Sequence, residues 1–577
     1  MSVNERESDK ADSLEGCEDP RIRHLLENVI TDLRKFAEEQ VSQLDDLVEI
    51  GVAMSVAGEI AEVLEMILAQ ARKVTNADGG TLYLVNPDRR FLDFHVVHND
   101  TLKMHQGGNS GIPVDIPPIP LYASDGEPSH TNVSAHTAHT GSIVNIPDVY
   151  VYDEQQFDFR GARAFDKAMN YRGVSLLTVP MRDHTGKTIG VLQLINATDP
   201  KDKKVIEFDS THERRVMSLA SLAAVMLTQQ KLIEEMKELF NSFIRALATS
   251  IDAKSTHTGN HIERVAELTM MIAHQVNAEK KGPFAKREFS PDEMEALRIA
   301  TWLHDTGKIT TPIHVVDKAT RLQTVFDRID LIHTRYQLMI EQAKRQALEK
   351  KLAHGAHTNG PSTIARQEIQ LELDKTLSDL KEEFEFIQTM NNGDRFLDDG
   401  GRTRLKRIAG RLFECQEETL AALTPDEVEN LSIPRGTLTS DERGVIEDHV
   451  VMTERILNEI AWPQNMRDVA KIAADHHEKL NGKGYPKGLK GSEIMLQSRI
   501  MTVADIFEAL SAKDRPYKAP MTLSKAIQIL RFMVKDGDLD ADVVELFISS
   551  GLVFEYAERR LAPDQIDVKA PEASSPH

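Results

Sequence analysis

The sequence predicts a multidomain chain: an α+β domain, a long connecting coiled-coil helix, and an all-α domain with an inserted helical hairpin. Three observations lead there. At 577 residues the chain is too long for one core, and roughly 150 residues per unit suggests three to four units. In the first half, helical periodicity gives way to short alternating β-rich runs such as GTLYLV (Gly80–Val85) and GVLQLIN (Gly190–Asn196). Beyond about residue 215 the apolar spacing is helical almost throughout.

Residues 1–20 are polar and are expected to be disordered. An N-terminal helix is expected over 21–55, with Leu25, Ile30, Leu33, Phe36, Val41, Leu44 and Leu47 in helical register. A second helix carries Ile60, Val63, Leu64, Ile67, Leu68 and Ala71 on one stripe. Gly80–Val85 and Phe91–Val97 then read as strands around the turn Asn86-Pro87-Asp88. Leu176–Met181 and Gly190–Asn196 form another pair around Asp183–Gly186. Helix, strand pair, long excursion, strand pair and helix make an α+β unit.

The phrases TNADGGTLYLV, HNDTL, NIPDVY, FDKAMNYRGVSLLTVPM and IGVLQLINA resemble a GAF domain of the cyclic-nucleotide phosphodiesterase type, with domain limits of 45–214. The resemblance implies a sensor for a small ligand. Asn145 is followed by Ile146, and Phe165 by Asp166, which departs from the family's nucleotide-associated pattern. The ligand is therefore left as an unknown small molecule, because a fold does not fix what it binds.

Residues 215–250 read as the connecting helix. Leu219, Leu222, Met226, Ile233, Met236, Phe240, Phe243 and Leu247 alternate in threes and fours, with Gln229 at one core position. That spacing is a two-stranded coiled-coil seam and predicts a homodimer.

Composition narrows the function classes. A net charge of −22 and a pI near 5.5 argue against a long nucleic acid or an anionic membrane surface. They leave room for a small nucleotide held by local cations. Cys17 and Cys415 are the only cysteines, so neither a disulfide framework nor a thiolate metal site is expected. The N-terminus has no apolar signal core and no run approaches a membrane span, so a cytoplasmic location is expected.

Chemistry concentrates in the second half, expected to be one domain over 251–563 with a helical insertion at about 320–437 and a disordered tail over 564–577. The stretch DHHEKLNGKGYPKGL (Asp475–Leu489) sets His476 and His477 after an apolar helical run and before a glycine-punctuated loop. Adjacent imidazoles cannot share one helix face, but both can reach one ion where a helix ends. WLHDTGKI (Trp302–Ile309) adds His304 and Asp305, and a helix starting near Thr439 carries His449. With His257, His261 and Asp505, the set holds only imidazoles and carboxylates, which suit iron, manganese or zinc. One ion needs about four such groups, so the set suffices for two and leaves room for a third. Two ions sharing a carboxylate can activate a hydroxide and neutralise a phosphodiester.

HDTGK, the isolated His449, HHEKLNGKGYP and VADIFEAL…RPY together resemble an HD-GYP domain of the HD phosphohydrolases, whose members hydrolyse cyclic di-GMP to pGpG or GMP. The resemblance makes His261, His304, Asp305 and Asp505 the core metal ligands. His449, His476 and His477 become the ligands of a second ion. It implies two divalent ions, iron or manganese. His257 stands where trinuclear members have Glu, and marks the place of a third. Lys308 is implied beside the scissile phosphate, so that Asp305 and Lys308 carry the catalysis. Gly484, Tyr485 and Pro486 would form the substrate edge, and Arg515 and Lys518 would contact substrate phosphates or guanine. Asn481 replaces the family's usual Asp.

The expected function is thus a GAF-regulated, metal-dependent cyclic di-GMP phosphodiesterase. The alternatives are a signalling adaptor whose HD-GYP half only binds, with partners such as diguanylate cyclases, and an enzyme for another cyclic dinucleotide.

Overall fold

The computed structural model describes residues 24–25, 28–35, 37, 60–152, 156–254, 260–357, 363–415, 418–513 and 520–569. The expected disordered N-terminus and most of the 21–55 helix lie outside the described residues, although 28–35 are helical. His257, Arg515 and Lys518 also lie outside them. The chain divides into two compact units, Met1–Glu238 and Leu239–His577.

The first unit is built on an antiparallel sheet of order β3-β2-β1-β7-β6-β5. Its strands are β1 (Ala77–Val85), β2 (Phe91–Asn99), β3 (Met104–Gly107), β4 (Ile119–Pro120), β5 (Val144–Ile146), β6 (Leu176–Arg182), β7 (Thr188–Thr198) and β8 (Val205–Ile206). The β1, β2, β6 and β7 runs match the strands expected from sequence. The short edge strands β3, β4, β5 and β8 carry too few alternating residues to signal themselves.

Helix Ile60–Thr75 buries Val63, Leu64, Ile67, Leu68 and Ala71 against Leu82, Val96 and Leu192 of the sheet. The period of the helix and the alternation of the strands thus meet in one core. The opposite sheet face carries a cavity of about 450 Å³ whose lining includes Tyr83, Phe94, Phe159, Asp166, Tyr171 and Gln193. Asp166 is buried there and accepts hydrogen bonds from Tyr150 Oη at 2.6 Å and the Gly173 amide at 2.9 Å.

The connecting helix runs from Ser210 to Asp252, longer at both ends than expected. Its seam also differs. Leu219 is buried in the first unit's core, and Leu222 and Met226 pack against it. Phe240 and Leu247 pack against the second unit's core. The exposed apolar stripe is instead Val225, Leu232, Met236, Leu239 and Phe243, with exposed Gln229 in the same register. Spacing alone could not separate two overlapping stripes on a helix that is apolar on more than one side. By composition this helix is also long and apolar enough to cross a membrane, contrary to the expectation that no run is. Val216, Leu219, Ala220, Ala223, Ala224 and Leu227 are buried in the first unit's core, and burial covers 33% of that apolar window.

The second unit gathers helices His261–Ala278, Pro291–Leu303, Val469–Ala474, Leu496–Ser511, Leu523–Lys535, Ala541–Ser549 and Leu552–Arg560 around one apolar core. Ile566 and Val568 pack against that core, and Asp567 accepts from the Ser524 amide at 2.9 Å. The domain therefore continues past 563, and the expected disordered tail does not begin at 564. Sequence periodicity missed this because the anchors are single residues in an irregular segment.

The insertion is a helical hairpin, Ile329–His357 and Thr363–Asn391, as expected. It is not all helix: Leu412–Cys415 and Glu418–Ala421 pair as a β-hairpin. Ile332, Tyr336, Leu380, Ile387, Leu405 and Phe413 give it a core of its own. Fully buried Arg321 ties its base by donating to the carbonyls of Gly436, Met390 and Arg395.

Candidate metal centre

Each candidate ligand sits where local structure constrains it. His304 follows the last residue of helix Pro291–Leu303, which starts with a Ser290–Glu293 capping box. Asp305 opens the turn Thr306–Ile309. His449 lies inside helix Ser440–Asn458, whose Thr439–Glu442 capping box matches the expected start. His476 and His477 come just after helix Val469–Ala474 ends.

The imidazoles share a device. His304 Nδ1 donates to the Thr301 carbonyl at 2.6 Å, His449 Nδ1 to Ile446 at 2.5 Å, and His476 Nδ1 to Ala473 at 2.6 Å. Each bond fixes the tautomer and leaves Nε2 with a free lone pair. These three histidines are 0–2% exposed, and none of their Nε2 atoms has a hydrogen-bond partner. Each orphan buried polar atom costs about 1–3 kcal/mol. Bound divalent ions are the chemistry that would satisfy them.

The ligand atoms of His261, His304 and Asp505 lie within 4.8 Å of one another, and so do those of His449, His476 and His477. Asp305 stands between the groups. Its Oδ2 is 3.4 Å from His304 Nε2 and 3.7 Å from His261 Nε2, and its Oδ1 is 3.4 Å from His449 Nε2. The structure thus brings His261, His304, Asp305, His449, His476, His477 and Asp505 together.

Electrostatics keep His476 and His477 neutral and Asp305 charged, the forms that ligate, whereas the neighbouring carboxylates raise His261 and His304. Burial pushes His477 down to about 4, and burial with the neighbouring imidazoles of His477 and His304 pushes His476 well below its ordinary value. Burial would raise Asp305, but the Lys308 ammonium and His304 outweigh it and hold the carboxyl well below its usual range. Lys308 Nζ donates to Asp305 Oδ2 at 2.6 Å and remains 30% exposed at the site's edge. A cavity of about 320 Å³ opens there, lined by His261, Asp305, Lys308, His477 and Asp505 among others.

Family comparison places these domains. The GAF domain family matches residues 59–227, and HD domain families match residues 258–377 and 418–543.

The chain carries a GAF domain followed by an HD domain.

A 3'3'-cGAMP-specific phosphodiesterase 3 of Vibrio cholerae is 45% identical over 95 residues, 16% of this chain and 20% of the relative. A cyclic di-GMP phosphodiesterase of Thermotoga maritima is 38% identical over 114 residues, 20% of this chain and 30% of the relative. The chain thus spans less than a third of the length of these relatives. The GAF domain of an Acinetobacter phosphoenolpyruvate-protein phosphotransferase covers 34% of this chain and 98% of its own, at 16% identity and a TM-score of 0.25.

Several supporting residues of the HD domain escaped the sequence reading. Glu508 Oε2 pairs with His261 Nδ1 at 2.5 Å, while Oε1 accepts from Arg264 Nε at 2.7 Å. Glu508 lies one turn beyond Asp505, and that spacing on one helix face was the available signal. Burial would lower His261, but Asp505 and Glu508 outweigh it and raise the ring to about 10. Glu508→Gln keeps the shape of the side chain but removes the charge that pairs with His261 and Arg264, and is expected to weaken metal binding by roughly 10–100-fold. Metal titration of the variant beside the parent checks this, and an unchanged affinity would remove Glu508 from the site.

Glu478 clasps the glycine loop by accepting from the amides of Lys487, Gly488 and Leu489 at 2.7, 3.1 and 2.9 Å. Gly484 packs so closely that a Cβ would lie 2.3 Å from the Lys479 amide nitrogen. Tyr485 stacks on His477 with ring centroids 4.9 Å apart, which puts the loop against the ligand cluster. Asn481 Nδ2 donates to Asp538 Oδ1 at 2.7 Å, a bond that a carboxylate in its place could not donate.

Proposed function

We propose that the HD domain hydrolyses a cyclic dinucleotide, with cyclic di-GMP as the first candidate substrate, under control of the GAF domain. The observation that carries this reading is Asp305, whose two oxygens face two separate histidine groups. His261, His304, Asp305 and Asp505 would hold one divalent ion, iron or manganese. His449, His476 and His477, with Asp305 shared, would hold the other. Bound ions would supply an activated water and neutralise phosphodiester charge.

The chain's own groups do the rest. Lys308 stands at the mouth of the cluster, where it stabilises negative charge building on the phosphate or the departing oxygen. The loop Gly484-Tyr485-Pro486 borders the substrate beside His477. Water adds across the P–O3′ bond: its oxygen joins phosphorus, and a proton ends on the released 3′-oxygen. Arg515 and Lys518 would contact the substrate; the site is read as binuclear, and His257 would be a ligand only of a third ion.

The test is a panel of cyclic di-GMP, 3'3'-cGAMP and linear dinucleotides given to anaerobically prepared protein, with metal analysis of the same sample. Turnover of cyclic di-GMP supports the reading. Turnover of 3'3'-cGAMP alone moves the substrate to the class named for one relative. Fewer than about one metal per chain and no turnover would favour an adaptor that binds signalling partners such as diguanylate cyclases.

The same reading makes the protein a cytoplasmic homodimer, with a small ligand in the 450 Å³ cavity of the GAF domain. Val225, Gln229, Leu232, Met236, Leu239 and Phe243 form the pairing seam, since unpaired apolar residues at alternating four and three spacing fit a parallel partner helix. Leu232→Glu with Met236→Glu is expected to yield monomers by light scattering, with far-UV circular dichroism otherwise retained. A dimer that survives both charges would place the interface elsewhere.

A further inference from the structure

We propose that the GAF domain carries a metal centre of its own, a site for a zinc-class divalent cation formed by Glu65, His98 and His105. The site lies in the first unit, where His98 also stands in the lining of the 450 Å³ cavity, and it uses none of the HD domain's ligands. His98 on β2 and His105 on β3 are direct cross-strand partners, with ring centroids 3.9 Å apart. Glu65 comes to them from helix Ile60–Thr75. One ligand atom from each residue lies within 4.8 Å of the others.

The carboxylate is held for this task. Glu65 Oε2 accepts from the Asn109 amide at 2.7 Å. The other oxygen, Oε1, is 2.7 Å from His105 Nε2 and 3.8 Å from His98 Nε2. The turn that supplies the amide needs Gly108, which has φ +55° and on which a Cβ would lie 2.8 Å from Glu65 Oε2. One oxygen is thus fixed by backbone while the other faces two imidazoles.

An ordinary Glu–His hydrogen bond accounts for Glu65 and His105 but not for His98. His98 is only 9% exposed, and its Nε2 is buried with no hydrogen-bond partner. At 3.8 Å from Glu65 Oε1 it is too far for a hydrogen bond. Ligand atoms sharing one tetrahedral ion at about 2.0–2.2 Å stand roughly 3.4 Å apart, between the two observed separations. A cation at this point would satisfy the orphan nitrogen and replace the His105–Glu65 contact with a shared one.

The donors select the ion class. Two imidazoles and one carboxylate suit zinc and its first-row neighbours, and are poor for calcium or magnesium, which prefer oxygen. His105 is about half exposed, so an ion could enter from solvent and keep an open coordination position. The bound ion would pin helix Ile60–Thr75 to the four-residue edge strand β3.

The test uses the full chain carrying His304→Ala, Asp305→Ala, His449→Ala and His476→Ala, which breaks both histidine groups of the HD cluster. Titration with Co²⁺ is followed by visible absorption, and Zn²⁺ is then added in competition. The expected result is one tight site per chain with ligand-field bands, displaced by Zn²⁺. His105→Ala in that background should weaken it by about 100-fold or more, since losing a direct ligand costs at least as much as losing an orienting partner. His105 is exposed enough that this variant should fold, and Glu65→Gln supplies an independent second variant. Thermal melts give a parallel readout: Zn²⁺ should raise the melting temperature of the parent and leave both variants unmoved. The proposal is overturned if the parent shows no such site, or if both variants bind and melt as the parent does.

Discussion

Asp305→Ala is expected to abolish the proposed phosphodiesterase turnover, by roughly 10³-fold or more, and to lower metal content in the same preparation. The reasoning is geometric. Asp305 is the only carboxylate among the described residues whose oxygens face both histidine groups. Removing it takes away the charge that stands between the groups and the carboxylate that the Lys308 ammonium donates to. Losing a single preorganised stabilising group already costs about 10²–10³ in rate, and a shared ligand affects two ions at once. Asp305→Asn is the sharper companion, because it keeps the shape and removes the charge. Kinetics and metal analysis on both variants check the expectation, and parent-like turnover in either would sink the assignment of the cluster.

Gly307→Ala should be the most disruptive single methyl in the HD domain. A Cβ there would lie 1.8 Å from the His449 carbonyl oxygen and 2.6 Å from the Thr453 amide nitrogen. Both are backbone atoms within a helix, so neither can swing aside. The Gly307 amide also donates to Thr453 Oγ1 at 2.9 Å, and that hydroxyl donates to the His304 carbonyl at 3.0 Å. The turn bearing His304 and Asp305 is therefore bolted to the helix bearing His449. Forcing them apart should cost about 3 kcal/mol of stability, as severe overpacking does. It should also weaken metal binding, because His449 draws away from Asp305. Chemical denaturation should show the lowered midpoint, and metal titration the weakened site. A variant with the parent's midpoint would mean the turn is softer than its packing indicates.

The fold and the candidate site were legible to different depths. The cluster was readable because its residue types are chemically restrictive: imidazoles and carboxylates in HDTGK, HHEKLNGKGYP and VADIFEAL have few other reasons to recur together. Its orienting partners were not. Glu508 and Glu478 look like solvated helix and loop charges until tertiary packing sets them against His261 and the loop amides. The long strands showed their period, whereas β3 is four residues long and takes its identity from β2. The connecting helix illustrates a different limit. Its apolar residues form overlapping stripes, and only packing reveals that Leu219 and Met226 face the first unit's core while Met236 and Phe243 face outward.

Lys254, just past the end of helix Ser210–Asp252, donates to the carbonyl oxygens of Lys308 and Ile309. Those carbonyls close the turn that begins with Asp305. The end of the helix is therefore tied to the turn that carries Asp305 through one ammonium on a four-carbon stem. In mechanical terms, the last turn of the helix and the HDTGK segment are joined by a tether: a shift of the helix end reaches the turn only through this side chain.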